Sequence, residues 1–143
     1  MNTLYYGDCL TIMRDKMSPQ SVDLIYLDPP FNSKRDYNAI YKDETGRPLP
    51  DQVEAFNDTW VLDAERVSTI RQLAPLLSKH GVDSDSGNLL AVFLQGLTKT
   101  SPGMAAYLAY MAERLAWMRT ILKPTGSIYL HCDPTASHYL KIG

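Results

Sequence analysis

The spacing of apolar positions predicts a strand and then a short helix at the start of the chain. Residues 4–6 form a β-prone run that Gly7 closes, as at the end of a strand. Asp8 follows at the place of a helix N-cap, because apolar residues recur behind it at intervals of three and four. These residues are Leu10, Met13 and Met17.

A second apolar run, residues 22–27, is nearly continuous and contains β-branched and aromatic side chains. Such a run predicts a strand that is buried inside a parallel sheet. The tetrapeptide at 28–31, Asp-Pro-Pro-Phe, ends this strand. Proline has this effect because it lacks a backbone N–H and holds the preceding residue in an extended conformation.

The middle of the chain is first acidic and then predicts two helices. Residues 43–65 carry seven acidic side chains against one arginine, and their prolines and glycine predict a loop that repels phosphate. Beyond it, apolar spacing predicts a helix over residues 67–77 that is kinked or ended near Pro75. After a break at residues 83–87, a second short helix is predicted over residues 88–97.

The next segment has the clearest helix pattern of the sequence. Ser101 and Pro102 supply an N-cap and a first helical position, and one apolar stripe follows them. The stripe consists of Met104, Tyr107, Leu108, Met111, Leu115, Met118 and Leu122. Residues 123–126, Lys-Pro-Thr-Gly, stop this helix, residues 127–133 predict a second sheet strand, and Pro134 begins another helix.

A strand, a long helical crossover and a second strand together make a βαβ unit. The predicted fold class is therefore α/β, with a mainly parallel sheet and flanking helices. Composition agrees with one globular domain, since 45% of the 143 residues are hydrophobic and 21% are charged.

Composition also limits where the protein acts and what it binds. The net charge of −2 argues against a surface that is basic throughout, so any contact with nucleic acid must be local. The two cysteines, Cys9 and Cys132, are far apart in sequence, and this thin usage favours a reducing compartment. The sequence shows no signal-peptide pattern and no apolar run near the length of a membrane span. We therefore expect a cytoplasmic protein without membrane attachment.

Polar residues that follow the two predicted sheet strands are the first candidates for chemistry, because ligands of open α/β sheets bind beyond the carboxyl ends of the strands. Asp28 follows the first strand, and His131 and Asp133 lie at the end of the second. Asp28 offers carboxylate acceptors, Pro29 holds its own carbonyl in a fixed direction, and Phe31 presents an aromatic face. These groups suit a planar ring that bears an amino group. Acceptors that bind the amine hydrogens favour a pyramidal nitrogen whose lone pair can attack.

Three segments carry a resemblance to a known family: residues 7–10 (GDCL), 21–32 (SVDLIYLDPPFN) and 122–140 (LKPTGSIYLHCDPTASHYL). They resemble the amino-group DNA methyltransferases that use S-adenosylmethionine, and within them the permuted class whose catalytic motif precedes the cofactor-binding motif. The resemblance implies a partial Rossmann-like methyltransferase fold and direct methyl transfer to an amino nitrogen of a base flipped out of duplex DNA. An aspartate at the head of the Asp-Pro-Pro-Phe motif looks like an adenine-N6 enzyme, whereas serine is more usual for cytosine N4.

The resemblance also implies a catalytic role for the four residues of this motif. Asp28 and the Pro29 carbonyl would accept the hydrogen bonds of the amino group. Phe31 would stack on the flipped base, next to Pro30 of the same motif. None of these side chains needs to form a covalent bond with the substrate.

Residues that bind the cofactor and DNA follow from the same resemblance. Asp8 and Cys9 would lie near the adenine of S-adenosylmethionine. Asn32 would support the loop behind the motif. Lys34 and Arg35 would contact a DNA phosphate close to the flipped nucleotide.

The sequence departs from the family where the cofactor loop belongs. Family members carry a glycine-rich loop, Phe-x-Gly-x-Gly, toward the C-terminus in the permuted class, whereas no two glycines are two positions apart here. The target-recognition region is also missing, and family topology would separate the strand at 4–6 from that at 22–27 by two further strands. We therefore expect residues 1–143 to be the N-terminal portion of a methyltransferase, with residues 43–103 as an insertion. A C-terminal portion would come from elsewhere, such as another chain, and residues 1–143 alone should be inactive.

Two other functions stay open at this point. One is methyl transfer to cytosine N4, and the other is a non-catalytic remnant that serves as a binding or assembly module with a partner chain. No metal site is expected, because the spacing of His131, Cys132 and His138 fits no common ligand pattern.

Overall fold

The computed structural model describes residues 2–29, 36–38, 54–57, 60–132 and 134–142. Its helices are α1 (Cys9–Lys16), α2 (Ala64–Lys79), α3 (Ser84–Thr100), α4 (Pro102–Ile121) and α5 (Pro134–Ile142). Its strands are β1 (Val22–Leu27), β2 (Asp36–Asn38), β3 (Glu54–Asn57) and β4 (Leu122–Leu130). The chain therefore has the mixed α/β character that the sequence predicts, with α1, β1, α4 and α5 close to their predicted positions.

β1 and β4 form the parallel pair that the sequence predicts. The connection between them runs through α2, α3 and α4, which confirms the βαβ unit. On one face of the sheet, Ile25 and Leu27 pack against a buried cluster from α1 and α4. The cluster comprises Met13, Met118 and Ile121. Because the strands are parallel, their carboxyl ends lie at one edge of the sheet.

The helix stop predicted at residues 123–126 lies inside β4 rather than ahead of it. Leu122 and Ser127 are five positions apart on β4, yet they pair with β1 residues that are only two positions apart. Gly126 permits this irregularity, because a Cβ at this position would lie 2.7 Å from a methyl carbon of Leu122. The strand ends at Leu130, earlier than predicted.

α4 is the centre of the helical layer and packs against α1, α2, α3 and α5. Its buried residues surround the helix and do not form the single stripe that was predicted. They are Met104, Ala105, Ala106, Tyr107, Leu108, Ala109, Met111, Arg114, Ala116, Met118 and Ile121. Pro102 is the first residue of α4, as predicted, but the Ser101 side chain forms no capping hydrogen bond. Within the described ranges, no helix is long and apolar enough to cross a membrane.

α2 and α3 are longer than the sequence pattern predicts. α2 continues through Pro75 for another turn, since burial of its apolar face outweighs the loss of one backbone N–H. The predicted break at residues 83–87 is instead the start of α3, where Asp83 caps the helix by accepting the Ser86 N–H at 2.9 Å. Gly87 is buried against the backbone of α2, so it serves close packing and not chain reversal.

Two further predictions are wrong. Residues 4–6 form no strand, and both Leu4 and Tyr6 are exposed. A β-prone run becomes a strand only when a neighbour pairs with its backbone, and no described strand lies beside this one. In the predicted acidic loop, residues 54–57 form β3, which pairs antiparallel with β2. Residues 43–53 and 58–59 of that loop lie outside the described residues.

Candidate functional site

The carboxyl ends of β1 and β4 place Asp28 and His131 side by side. Leu27 pairs with Leu130 at the last step of the sheet, so the next residue of each strand follows at the same edge. The backbone N–H of His131 donates to the Leu27 carbonyl oxygen at 2.9 Å. The imidazole Nδ1 of His131 lies 3.1 Å from Oδ1 of Asp28. The polar groups that follow the two strands are therefore in contact.

The Asp28 carboxylate is open to solvent. Its side chain is 67% exposed, and that of His131 is 60% exposed. Since His131 contacts Oδ1, the second carboxylate oxygen can accept hydrogen bonds from a ligand. The half-buried Pro29 follows directly. The remaining predicted residues of this region lie outside the described residues: Pro30, Phe31, Asn32, Lys34, Arg35 and Asp133.

A second ionic group lies at the start of α1. Asp8 caps this helix, as predicted, because its Oδ1 accepts the Leu10 N–H at 2.7 Å. Its Oδ2 accepts a hydrogen bond from Nη2 of Arg114, a residue of α4 whose side chain is only 7% exposed. Burial by itself raises the pKa of the Asp8 carboxyl. The hydrogen bond and charge of Arg114, with the N–H groups of Leu10 and Thr11, outweigh burial and hold this pKa below its usual range.

Aromatic rings pack against the Arg114 guanidinium. Its central carbon lies 3.2 Å from the centroid of the Tyr110 ring, which is 4.5 Å from the Trp60 ring. Arg66 of α2 approaches the same tyrosine ring at 5.5 Å. Burial raises the pKa of the Tyr110 hydroxyl, so this ring stays neutral and presents its negative face to the two cations. Cys9, beside Asp8, keeps an exposed free thiol.

The Asp8–Arg114 pair lies away from the amino end of β1. α4 ends where β1 begins, since the carbonyls of its last two residues accept the N–H groups of Gln20 and Ser21. Arg114 precedes that end by seven positions, which is about 10 Å along the helix axis. This distance separates Arg114 from the amino end of β1. In the described part of the chain, no hydrogen bond or ion pair joins Asp8 to Asp28.

Arg114 is a residue that the sequence reasoning missed. It follows Met111 by three positions and precedes Met118 by four, so it falls within the predicted apolar stripe. A charged residue in such a stripe is buried only if another group compensates its charge. This rule signals that Arg114 has a partner, but nothing local in the sequence identifies Asp8, which is distant in the chain.

An apolar cavity lies elsewhere in the molecule. It has a volume of about 180 Å³ and lies among α2, α3, α4 and α5, where Leu77, Leu108 and Leu140 contribute to its lining. Asp28 is outside this cavity and exposed. The described residues that line this cavity therefore do not enclose Asp28.

Comparison with known proteins identifies relatives along the whole chain. The Mod subunit of the type III restriction-modification enzyme EcoPI, from Escherichia phage P1, is 28% identical over 143 residues, which is 99% of this chain and 18% of the relative. The EcoP15I Mod subunit from Escherichia coli is 26% identical over 141 residues, or 97% of this chain and 18% of the relative. The StyLTI Mod subunit from Salmonella typhimurium is 29% identical over 146 residues, or 99% and 17%.

The chain spans less than a fifth of the length of these curated relatives. No solved structure matches it. Residues 22–142 match the DNA methylase family, the N6/N4 methyltransferases. This range begins with β1, ends in α5, and contains both Asp28 and His131. The chain therefore belongs to the DNA methylase family.

Proposed function

We propose that this chain carries the catalytic motif of an S-adenosylmethionine-dependent DNA methylase that acts on adenine N6. One observation carries the proposal: an exposed Asp28 carboxylate follows β1 directly, at the carboxyl edge of a parallel sheet, in a chain of the DNA methylase family. Open α/β sheets bind their ligands at this edge. The proposed catalytic set is Asp28, Pro29, Pro30 and Phe31.

The reaction needs an amino nitrogen that can attack a methyl group. The exocyclic nitrogen of adenine is a weak nucleophile, because its lone pair is delocalised into the ring. Asp28 and the Pro29 carbonyl would accept its two N–H groups, which favours the pyramidal form and localises the lone pair. Phe31 would stack on the ring and hold it outside the duplex. As the nitrogen–carbon bond forms, the bond between the methyl group and the sulfonium sulfur of the donor would break, which leaves S-adenosylhomocysteine, and one amino proton would pass from the nitrogen to the Asp28 carboxylate or water.

Asp8 and Cys9 are the residues that we assign to the cofactor. The Asp8 side chain is 47% exposed although Arg114 binds its Oδ2, so it can accept a further hydrogen bond from an adenine amine or a ribose hydroxyl. Cys9 is exposed beside it. S-adenosylmethionine, when bound, supplies an electrophilic methyl group. In this proposal Asp8 and Cys9 contact its adenosine part, and the ion pair with Arg114 fixes the orientation of the Asp8 carboxylate.

The relatives are subunits of restriction-modification enzymes, and we propose the same setting for this chain. Lys34 and Arg35 would contact a DNA phosphate, and Asn32 would support their loop. Residues 43–103 would form an insertion. Further methylase segments, in the same polypeptide or in a partner chain, would supply the glycine-rich loop and the target-recognition region. Thin cysteine usage fits the reducing cytoplasm in which we place the protein.

Replacement of Asp28 tests the proposal. In the full polypeptide that carries this sequence, Asp28→Ala should lower the transfer of tritiated methyl groups to unmethylated genomic DNA by about 10²–10³-fold, because an acceptor for the amino group is lost. DNA binding should be retained. Asp23→Ala is a matched control, since Asp23 is an exposed β1 carboxylate that binds Lys123 at 2.8 Å. Full activity in Asp28→Ala would refute the proposal.

Digestion of the methylated DNA to nucleosides identifies the base that is modified. N6-methyladenine is the expected product. N4-methylcytosine would instead assign the chain to the cytosine class that the sequence leaves open. If the unaltered polypeptide, assayed together with any partner chain that completes the methylase, methylates neither base, the enzyme proposal is wrong and the chain serves as a binding or assembly module.

A further inference from the structure

We propose that His131 is a positioning residue that holds the Asp28 carboxylate in the orientation needed to accept an amino group. The inference depends on the proposed function of Asp28 and extends it to a residue of the second strand. Two contacts of His131 with the end of β1 support the inference. The His131 N–H binds the Leu27 carbonyl at 2.9 Å, and its Nδ1 lies 3.1 Å from Asp28 Oδ1.

The register of the sheet produces this contact. Leu27 pairs with Leu130, so His131 is the β4 residue that meets the Leu27–Asp28 peptide. The irregularity at residues 123–126 lies nearer the amino ends of the strands, and pairing is regular from there to the carboxyl edge. A slip of one residue would turn the His131 side chain to the other face of the sheet. The contact is therefore a consequence of how β1 and β4 align.

The chemistry of the contact determines which carboxylate oxygen remains available. An ionised carboxylate only accepts hydrogen bonds, so the Nδ1 of His131 must carry the hydrogen. A neutral imidazole then carries no hydrogen on Nε2. With Oδ1 of Asp28 bound in this way, Oδ2 keeps its lone pairs for the amino group. The same contact limits rotation of the carboxylate.

This contact should affect orientation more than stability. Both side chains are largely exposed, and exposed pairs contribute little to the folded state. Orientation matters more for a rate, since a reacting group misplaced by about 1 Å can slow a reaction by about 10²-fold. Loss of the imidazole should therefore slow methyl transfer while the chain stays folded and binds DNA.

The first test compares His131→Ala with His131→Asn in the full polypeptide. The amide nitrogen of asparagine lies close to the position of imidazole Nδ1 and can donate to the same oxygen, whereas alanine cannot. We expect single-turnover methyl transfer to unmethylated genomic DNA to fall about tenfold in His131→Ala and to recover in His131→Asn. The dissociation constant for DNA should be the same in both variants.

His138→Ala is the matched control, because it removes an exposed histidine of α5 and should keep the original rate. A His131→Ala variant that is as fast as the unaltered protein would overturn the inference. An asparagine variant that is as slow as the alanine variant would also overturn it, since it would show that a donor to Asp28 is not what matters.

A second readout does not depend on catalysis. The nitrogen chemical shifts of the His131 imidazole should show the hydrogen on Nδ1 in the unaltered chain and mainly on Nε2, the form that free imidazole favours, in Asp28→Ala. An unchanged tautomer would show that His131 does not hold Asp28 and would overturn the inference. If the unaltered polypeptide transfers no methyl group even with any partner chain that completes the methylase, the proposed function fails, and the tautomer still decides whether the contact exists.

Discussion

The helical layer of α2, α3 and α4 and the β1–β4 sheet differ in how completely they bury apolar side chains. In the layer, Leu73, Leu94 and Tyr107 are fully buried. On the sheet, Tyr26 and Tyr129 are partners across the two strands, yet they are 71% and 60% exposed. Parallel sheets are normally covered on both faces. Here, α1 and α4 cover one face, and the described residues leave the tyrosine face open.

Under the proposed function, stability and chemistry reside in different parts of the chain. The layer contains most of the buried apolar side chains, and their burial is the main source of folding free energy. Asp28 and His131 instead lie at the rim of the sheet, where both side chains are exposed. Substitutions in the layer should change the free energy of unfolding, and substitutions at the rim should change methyl transfer.

The largest effect on stability is expected from Leu94→Ala. Leu94 is fully buried in α3, so its truncation leaves a cavity and should lower the free energy of unfolding by about 2–5 kcal/mol. Leu24→Ala is the matched change on the open face of the sheet. Leu24 is 57% exposed, and its truncation should cost less than about 0.5 kcal/mol.

Urea denaturation of both variants measures the contrast. Equal losses of stability in Leu94→Ala and Leu24→Ala would break the comparison, because they would show that the tyrosine face is covered when the protein is in solution. A loss of stability confined to Leu94→Ala would confirm that the tyrosine face of the sheet contributes little to the free energy of unfolding.

Elements with strong local signals could be predicted from the sequence. The N-cap at Asp8, the apolar run of β1, and Pro102 at the start of α4 each determine structure through their own neighbours. Elements that depend on distant partners could not. Residues 4–6 have strand propensity but no strand to pair with in the described part of the chain, and Gly87 looks like a break although it packs against α2.

In the candidate site too, some features follow from local sequence and others depend on residues that are distant in the chain. The βαβ pattern predicted that Asp28 and His131 would lie at one edge, because parallel strands share their carboxyl side. The hydrogen bond between them depends on register, which the sequence pattern does not give. The ion pair of Asp8 with Arg114 joins residues that are far apart in the chain, so only the folded structure reveals it.

Asp8→Asn tests how strongly the start of α1 is tied to the helical layer. Asparagine keeps the N-cap but loses the charge, so Arg114 stays buried beside a neutral partner. Because Asp8 is itself 47% exposed, we expect a loss of about 1–2 kcal/mol in the free energy of unfolding, less than a fully buried pair would give. Urea denaturation at neutral pH measures this loss.

Asp83→Asn is the matched control for this change. Asp83 caps α3 in the same way, and it forms no ion pair within the described ranges. Its replacement should leave the unfolding midpoint unchanged. An equal loss in both variants would mean that the negative charge at the helix N-terminus, and not the ion pair with Arg114, accounts for the lost stability.

The smallest effect on stability is expected from the titration of His80, a residue of the helical layer. This residue is 8% exposed at the end of α2, where its Nδ1 lies 2.7 Å from the Thr120 hydroxyl. Burial, and then the charge of Lys79, lower the pKa of its imidazole from 6.5. Arg119 adds a further cation nearby, since it donates to the His80 carbonyl. The protonated imidazole is therefore disfavoured in the folded state.

The unfolded chain consequently binds this proton more readily than the folded chain does. Stability should fall as the pH drops from about 6.5 toward the lowered pKa of folded His80. The contribution of Asp8 is lost in a separate range, as the pH falls below 3.8. His80→Asn removes the effect of His80 and leaves that of Asp8. The midpoint temperature of thermal unfolding should therefore change less between pH 7 and pH 5 in this variant than in the unaltered chain. His138→Asn, at an exposed position of α5, controls for loss of an imidazole, and an equally small variation with pH in this control would show that the acid sensitivity does not arise in the helical layer.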